Sequence, residues 1–319
     1  MRFQLCLLMG LTVVFPFGLW AQTYPAKPVR VVIAFPPGGS NDFVGRIVFQ
    51  KMTESLGRSF VIDNRGGAAG TIASDAVAKS AADGYTLMVQ SSTHVANPHL
   101  YKSLPYDALK DFVGISTLAR QVGVLVVHPS MPVKSVKEFI ALAKARPREI
   151  FYGSGGSGAS YHLQMVLLES MAKLSLTHVP YKGGGPAWTS FVSGEVQAIF
   201  STTSGVIPFY KAGRVRPLAV SSKDRLKQFP EIPTLAETVP GYEFVAWVGC
   251  FAPAGTPPAV VNMLNSAISK VLSDPEVAAK LSAQALDPIH MAPELFAARI
   301  KSDYEKYGTL IKLIGAEVN

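Results

Sequence analysis

Hydrophobic and polar residues near the start of the chain change from a strand pattern to a helix pattern across a glycine turn. Residues 29–34 are mostly apolar and β-branched, which is typical of a strand buried on both faces. The Pro-Pro-Gly-Gly sequence at 36–39 ends this strand, and Ser40 is a good N-cap for the helix that follows. Unpaired N–H groups and the helix dipole make such a turn a place for an anion. The alternative is an ordinary turn whose glycines only relieve backbone strain.

The same order of strand, glycine turn and helix is repeated in the residues that follow. A second strand is predicted at Phe60–Asn64, a second glycine turn at 65–71 and a helix up to Ser80. A third strand, within Asp83–Gln90, is followed by three hydroxyl residues at 91–93. Open α/β sheets place ligand groups at such strand ends, and hydroxyls can donate to an oxyanion without adding charge. A polar loop, or a cap for the next helix, is the alternative.

The middle and the end of the chain continue this alternation. Two β-rich runs within Phe112–Pro129 predict that the chain passes there from one domain into another. A helix is predicted at about 136–146, and Ile150–Leu163 repeats the design of the opening stretch. Further strands are predicted at Leu176–Tyr181, Val196–Ser201, Val215–Ser222 and within 243–258, and further helices at Pro257–Leu272, Pro275–Gln284 and Pro293–Ile314. The last helix carries an apolar stripe that predicts core packing: Phe296, Ile300, Tyr304, Tyr307 and Ile311.

The first 21 residues predict a targeting segment, because Arg2 precedes a mostly apolar run and Ala21 ends it. The run is short and is interrupted by Pro16, whereas a membrane-spanning helix needs about 20 apolar residues, so cleavage is favoured over an anchor. The rest of the 319-residue chain is too long for one typical hydrophobic core and predicts two domains. Cys250 would be the one cysteine of the mature protein, which excludes an internal disulfide.

Charge and motifs exclude several classes of function. The formal net charge of +8 favours anionic ligands weakly, and scattered basic residues without interleaved aromatics argue against nucleic acid. Glycines at 153, 155 and 158 match G-x-G-x-x-G, but the next strand ends at Tyr181 without an acid to hold a ribose, so no cofactor is predicted. No serine lies in G-x-S-x-G, and no histidine pair has the spacing of a metal-binding helix.

His162 lies one turn inside a predicted helix, where it could donate to a bound anion or serve as an ordinary structural histidine. The glycine turns at strand ends supply backbone donors and hydroxyls, and no nucleophile with a base accompanies them. The residues therefore indicate a binding protein, and a secreted α/β enzyme acting on a small carboxylic acid is the alternative.

An ordered set of motifs spans nearly all of the mature chain: FPPGGSND, DNRGGAAGT, ADGYTL, LPYDALKDF, LTHVPYKGGGPA, AGRVRPLAV and FAPAGTPP. This set resembles the extracytoplasmic solute receptors of tripartite tricarboxylate transporters, the TctC or Bug family. The resemblance implies a type II periplasmic-binding-protein fold, in which two α/β domains are joined by two crossover strands and a ligand lies in the cleft between them. It also implies a periplasmic, monomeric, non-enzymatic receptor that binds a small carboxylate by hinge closure and delivers it to membrane permease subunits or acts as a sensor.

The resemblance also implies bounds for the domains. These are a signal peptide at 1–21, a first domain at 22–122 plus 246–292, a second domain at 123–245, and a C-terminal helix at 293–319 that packs back on the domains. Carried over position by position, it places ligand-binding residues on the two sides of the cleft. The first domain contributes Pro37, Gly38, Gly39, Ser40, Asp42, Ser91 and Ser92. The second domain contributes Ser157, Gly158, Ser160, His162, Tyr181, Lys182, Gly183 and Ser201.

Three features bear on ligand specificity. Asp42 would repel a carboxylate unless it faced a ligand amine or the helix N-terminus, so we predict that it caps the helix. Ser201, Thr202 and Thr203 stand where the family often has an acidic residue, which makes an amino-acid ligand less favourable. Val248 stands where an aromatic residue often follows the tryptophan, which predicts a larger cleft.

Overall fold

The computed structural model describes residues 24–227, 229–284 and 286–314, and the predicted leader lies outside these ranges. The strands are β1 (Val29–Ile33), β2 (Phe60–Asn64), β3 (Thr86–Ser91), β4 (Phe112–Val127), β5 (Phe151–Ser154), β6 (Thr177–Pro180), β7 (Ala198–Thr202), β8 (Arg216–Val220), β9 (Val245–Pro253) and β10 (Leu286–Pro288). The α-helices are α1 (Ser40–Leu56), α2 (Thr71–Ala78), α3 (Thr93–Leu100), α4 (Val136–Ala145), α5 (Ser160–Ala172), α6 (Gly184–Ser193), α7 (Thr203–Lys211), α8 (Pro258–Leu272), α9 (Pro275–Ser282) and α10 (Pro293–Ile314). Short 3-10 helices lie at Ala68–Gly70 and Leu235–Glu237.

One mixed sheet runs through the molecule in the order β2-β1-β3-β9-β4-β7-β5-β6, with β8 and β10 paired to β4. Strand β1 pairs in parallel with β2 and β3, and β5 pairs in parallel with β6 and β7, so each end of the sheet is an open α/β unit. We call β1–β3, β9, β10, residues 112–122 of β4 and helices α1–α3, α8 and α9 the first lobe. The second lobe consists of residues 123–127 of β4, β5–β8 and helices α4–α7.

Strand β4 carries the chain from the first lobe to the second. Residues 112–122 pair with β9, and residues 123–127 pair with β7. The two β-rich runs that the sequence indicates form one continuous strand of 16 residues. Pairing shifts between Gly114 and Ser116 and between Thr117 and Ala119 bend the strand without ending it. The domain bounds at 122 and 123 stay a prediction.

Two helices of the second lobe are not signalled by the sequence pattern. Helix α6 begins with a glycine-rich turn and α7 contains Pro208, and both features are ordinarily helix-breaking signals. Their tertiary packing overrides these propensities, since Phe191 and Val206 are buried in one second-lobe cluster. In the described part of the chain, no helix has the length and apolar character of a bilayer-spanning segment.

Helix α10 packs against both lobes through α3 and α5. The predicted core-packing stripe is confirmed, because four of its five side chains are buried and that of Tyr304 is half-buried. The Tyr307 hydroxyl donates to Ser92 Oγ at 3.1 Å, and the indole N–H of Trp247 donates to Asp303 at 2.7 Å. Side chains of the two lobes and of α10 therefore form one continuous core.

Val248 does not face the space between the lobes. Its side chain is fully buried in the first-lobe core, in the same cluster as Val89 and Cys250. Successive side chains of a strand point to opposite faces, so Val248 and its neighbour Trp247 enter different clusters. The prediction that Val248 enlarges the cleft is therefore wrong.

Candidate functional site

A cleft of about 490 Å³ opens between the two lobes at the carboxyl ends of β1, β3 and β7. This is a volume typical of small-molecule sites, and open α/β sheets bind ligands at such strand ends. The first lobe lines the cleft mainly with residues 35–41 and Ser91. The second lobe lines it mainly with residues 159–161, 182–188 and 199–202. The site is therefore built from both halves of the molecule.

Four helices begin at this cleft, one from the first lobe and three from the second. Their N-cap residues Gly39, Ala159, Gly183 and Thr202 all line it. The first N–H groups of a helix lack intrahelical acceptors, and the dipole favours a nearby negative charge by roughly 0.3–1 kcal/mol at exposed sites. The backbone therefore offers an anion hydrogen-bond donors and positive potential from both sides.

The Ser160 side chain adds a further donor at the start of α5. It lines the cleft and is only 7% exposed, yet its Oγ has no hydrogen-bond partner among the described residues. An unsatisfied buried polar group costs about 1–3 kcal/mol, so this hydroxyl is suited to an acceptor that a ligand brings.

Asp42 lies behind the first turn and does not line the cleft. Its carboxylate accepts hydrogen bonds from the Gly38 N–H at 3.0 Å, from Arg46 Nε at 2.8 Å and from Asn64 Nδ2 at 2.9 Å. Burial opposes ionisation of this carboxyl, but the bonds from Arg46, Gly38 and Asn64 outweigh it and lower the pKa of Asp42. The carboxylate of Asp42 thus stabilises the first glycine turn through these hydrogen bonds.

The second glycine turn supports the first turn from behind. A Cβ added at Gly66 would lie 2.6 Å from Pro36 Cδ, so a glycine is required for the two loops to approach this closely. Asn64, which ends β2, also donates to the Phe35 carbonyl at 3.1 Å. The motif DNRGGAAGT therefore positions the anion-binding turn and lies outside the lining of the cleft.

Gln121 on β4 joins the two lobes across the floor of the cleft. Its Nε2 donates to Ser40 Oγ at 2.8 Å in the first lobe and to Tyr161 Oη at 3.0 Å in the second. Burial raises the pKa of Tyr161, against the opposing effect of its bonds with Ser40 and Gln121, so its hydroxyl is protonated at neutral pH. All three side chains line the cleft.

His162 lies outside the lining of the cleft and accepts a hydrogen bond, which agrees with the structural one of the two interpretations that the sequence left open. The Gly158 N–H donates to its Nδ1 at 2.9 Å, and its ring stacks on that of His178 with centroids 3.9 Å apart. His178 Nε2 in turn bonds Ser154 Oγ at 2.7 Å. Burial and the neighbouring His178 lower the pKa of His162 to about 3, and burial lowers the pKa of His178 to about 4. The neutral pair therefore shapes the turn at 154–158.

The structure brings nine of the fifteen predicted site residues together in the lining of the cleft. These are Pro37, Gly38, Gly39, Ser40, Ser91, Ser160, Lys182, Gly183 and Ser201. The other six lie outside the lining: Asp42, Ser92, Ser157, Gly158, His162 and Tyr181. Ser92 accepts from Tyr307, and Tyr181 bonds Ser190 through its hydroxyl. Contact of any of the fifteen with a ligand stays a prediction.

Sequence reasoning missed several residues that line the cleft. The aromatic ones are Phe35, Phe43, Tyr161, Trp188 and Phe200. Gln121 was also missed, and its signal is a polar pair with Arg120 that interrupts the apolar residues of a β-rich run. Among the described residues, no group of three or more histidine, cysteine, aspartate or glutamate side chains could hold a metal ion.

Comparisons with known proteins agree with this architecture. The sequence model of the tripartite tricarboxylate transporter family receptor, TctC, matches residues 44–316. Protein BugT from Bordetella pertussis is 36% identical over 303 residues, which cover 93% of this chain and 92% of BugT. Rpa4515 from R. palustris, solved with adipate, is 35% identical with a TM-score of 0.87, covering 92% of this chain and 98% of that one. MatC (Rpa3494) from Rhodopseudomonas palustris, solved with bound malate, is 30% identical with a TM-score of 0.84, covering 90% of this chain and 100% of that one.

These similarities confirm the family and the fold class that the motifs predicted, with two α/β domains of the periplasmic-binding type. The family consists of periplasmic solute-binding receptors, and nothing in these comparisons favours the alternative of a secreted enzyme. The chain belongs to the tripartite tricarboxylate transporter family of receptors and is a solute-binding receptor.

Proposed function

We propose that this receptor captures a small carboxylate in the cleft between its lobes and presents it to the membrane subunits of a tripartite transporter or to a sensing partner. One observation carries the proposal: four helix N-termini meet in the cleft beside the buried Ser160 hydroxyl, which has no partner among the described residues. The adipate complex of Rpa4515 and the malate complex of MatC support the same ligand class, because both proteins share family and fold with this chain.

The capture step uses neutral donors. The free N–H groups at 39–41 and the backbone and hydroxyl of Ser160 approach one carboxylate from opposite lobes. Hydrogen bonds to an ionised acceptor are roughly twice as strong as neutral ones, so dipoles and hydroxyls are sufficient and no buried countercharge is required. The lobes close by rotation about the crossover near residues 122 and 123 of β4, where the sheet changes partners.

The residues outside the lining take supporting roles in this proposal. Asp42 fixes the first turn through the Gly38 N–H, and His162 fixes the second turn through the Gly158 N–H. The turns at 36–40 and 155–160, which we call the clamp turns, are thus each shaped by a side chain four residues beyond the N–H that it accepts. Their replacement should weaken binding indirectly, through the shape of the turn.

The mature receptor, in this proposal, is a periplasmic monomer released by cleavage near Ala21. The apolar leader in the sequence and the periplasmic character of the family support this placement. Intact mass spectrometry of protein recovered from the periplasm should give a chain that begins close to Gln22. Light scattering during gel filtration should give the mass of one chain, and a dimer mass would contradict the monomer.

The function is tested by calorimetry with a panel of small mono- and dicarboxylates, on protein that has been unfolded and refolded to remove retained ligand. At least one acid should bind with a stoichiometry of one. Ser160→Ala should then weaken binding by about 1.5–3 kcal/mol, or roughly 10- to 150-fold, because it removes a charge-assisted hydrogen bond.

Ser193→Ala is the matched control, since it removes a hydroxyl from the opposite end of α6 and should leave the affinity unchanged. An unchanged affinity in Ser160→Ala would remove Ser160 from the site. Absence of binding by every acid would contradict the proposal as a whole, and turnover of a bound acid would favour the enzyme alternative.

A further inference from the structure

The cleft offers many donors to an anion, and no anionic side chain among the described residues lines it to meet a cation. Lys182 is the one formally charged side chain among the described residues that line it. Asp42, which could have met a ligand ammonium, is 4% exposed, lies outside the lining and already accepts hydrogen bonds from three donors. Four helix N-termini add positive potential to the same space. The electrostatics of the cleft therefore oppose a positive group on the ligand.

The walls of the cleft are largely apolar. Phe35 and Phe43 line it from the first lobe, and Trp188 and Phe200 line it from the second. An ammonium group closed in among these side chains would lose its hydration without gaining an anionic partner, and a buried charge without a partner is strongly unfavourable. A ligand body of hydrocarbon would instead bury apolar surface against both walls.

Building on the proposed carboxylate function, we propose that this receptor selects acids that carry no amino group and have an apolar body, such as aryl- or alkyl-carboxylates, and rejects the α-amino acids of the same skeleton. Lys182 strengthens this preference, because a zwitterion brings no net charge for it to attract and an added ammonium group is repelled. The preference is a property of the whole lining and does not depend on any single hydrogen bond.

Matched pairs of ligands test this specificity directly. Calorimetry on refolded protein compares 3-phenylpropionate with phenylalanine, and adipate with 2-aminoadipate, since the members of each pair differ by one amino group. In each pair that binds, the acid without the amino group should bind at least about tenfold more tightly. Equal binding, or a preference for the amino acid, would overturn the inference.

A carboxylate introduced into the cleft should change the preference. Ser201 lines the cleft beside the start of α7, where the helix dipole tolerates an acid. Ser201→Asp should shift the ratio of affinities toward phenylalanine or 2-aminoadipate by at least about tenfold. Ser201→Asn is the control, because asparagine has nearly the same shape as aspartate and carries no charge. This variant should keep the wild-type ratio of the two affinities. An unchanged ratio in a folded Ser201→Asp protein would contradict the electrostatic argument.

The failure of this inference can be distinguished from the failure of the proposed function. If amino acids bind as well as their counterparts without the amino group, the specificity is wrong and carboxylate capture stands. If no acid of the wider panel binds, with or without an amino group, the proposed function fails and the inference fails with it. The wild-type ratio decides the specificity even where Ser201→Asp does not fold.

Discussion

The side-chain amide of Gln121 links the two lobes through two hydrogen bonds. Its removal should shift the equilibrium between the arrangements of the lobes. Its Nε2 donates to Ser40 Oγ at 2.8 Å and to Tyr161 Oη at 3.0 Å, and the side chain is 5% exposed. Gln121→Leu keeps much of the volume and removes both bonds. Each neutral hydrogen bond contributes about 1 kcal/mol net, so the linked arrangement should lose about 2 kcal/mol relative to arrangements without these bonds.

Such a loss corresponds to a shift of roughly 30-fold in the equilibrium between linked and unlinked arrangements. A ligand that binds only the linked arrangement should lose affinity by up to the same factor, since part of its binding energy must restore the arrangement. Calorimetry measures the affinity, and small-angle scattering of ligand-free protein measures the radius of gyration, which should increase. Tyr161→Phe removes one of the two bonds and should have about half the effect in free energy.

Gln284→Leu is the control, because Gln284 also lines the cleft and its side chain makes no hydrogen bond among the described residues. It should leave the radius of gyration unchanged. If Gln121→Leu kept both the wild-type affinity within twofold and the wild-type radius of gyration, the assignment of Gln121 as the link between the lobes would be refuted.

Two further predictions concern the second-lobe turn. Gly158 has a φ of +77°, and an added Cβ would lie 2.0 Å from Leu100 Cδ1 in the first lobe, so Gly158→Ala should lower the melting temperature and weaken ligand binding. Gly213→Ala is the control, because Gly213 has a φ of +67° and open space around it. This variant should show only the left-handed backbone penalty of about 1–2 kcal/mol. If both variants lowered the melting temperature equally, the clash with Leu100 would not explain the effect of Gly158→Ala. Burial lowers the pKa of His178 from the ordinary 6.5 to about 4 in the folded protein. The unfolded chain therefore binds a proton at a higher pH than the folded protein does. The free energy of unfolding should accordingly fall as the pH decreases from about 6.5 toward 4. Thermal melts across this range should show that the free energy of unfolding declines less steeply with pH in His178→Gln, by up to about 1.4 kcal/mol per pH unit. A slope identical to that of the wild type would contradict the role of His178 in this pH dependence.

Much of the site could be predicted because its chemistry is local. A strand, a glycine turn and a helix start are encoded in adjacent residues, and both clamp turns, at 36–40 and 155–160, follow this rule. Ser160 was placed in the site by the resemblance to the receptor family. Its burial and its unpartnered Oγ became evident from the structure alone.

The remainder of the site depends on contacts between residues distant in sequence. Gln121 meets Ser40 and Tyr161 because β4 passes between the lobes, and no local pattern encodes that meeting. The sequence left His162 open between a donor to the ligand and a structural histidine, and only the structure shows its contacts with the Gly158 N–H and the His178 ring. Side-chain direction at a helix start is set by its packing partners, and these come from another strand.

The central claim is that the cleft recognises the negative charge of a carboxylate. The most direct measurement is calorimetry of the refolded receptor with the tightest-binding acid of the panel and with its methyl ester, which keeps the skeleton and removes the charge. The four helix N-termini, the Ser160 hydroxyl and Lys182 predict that the acid binds with a stoichiometry of one and that the ester binds at least about tenfold more weakly. Equal binding of acid and ester, or binding of neither, would contradict this account.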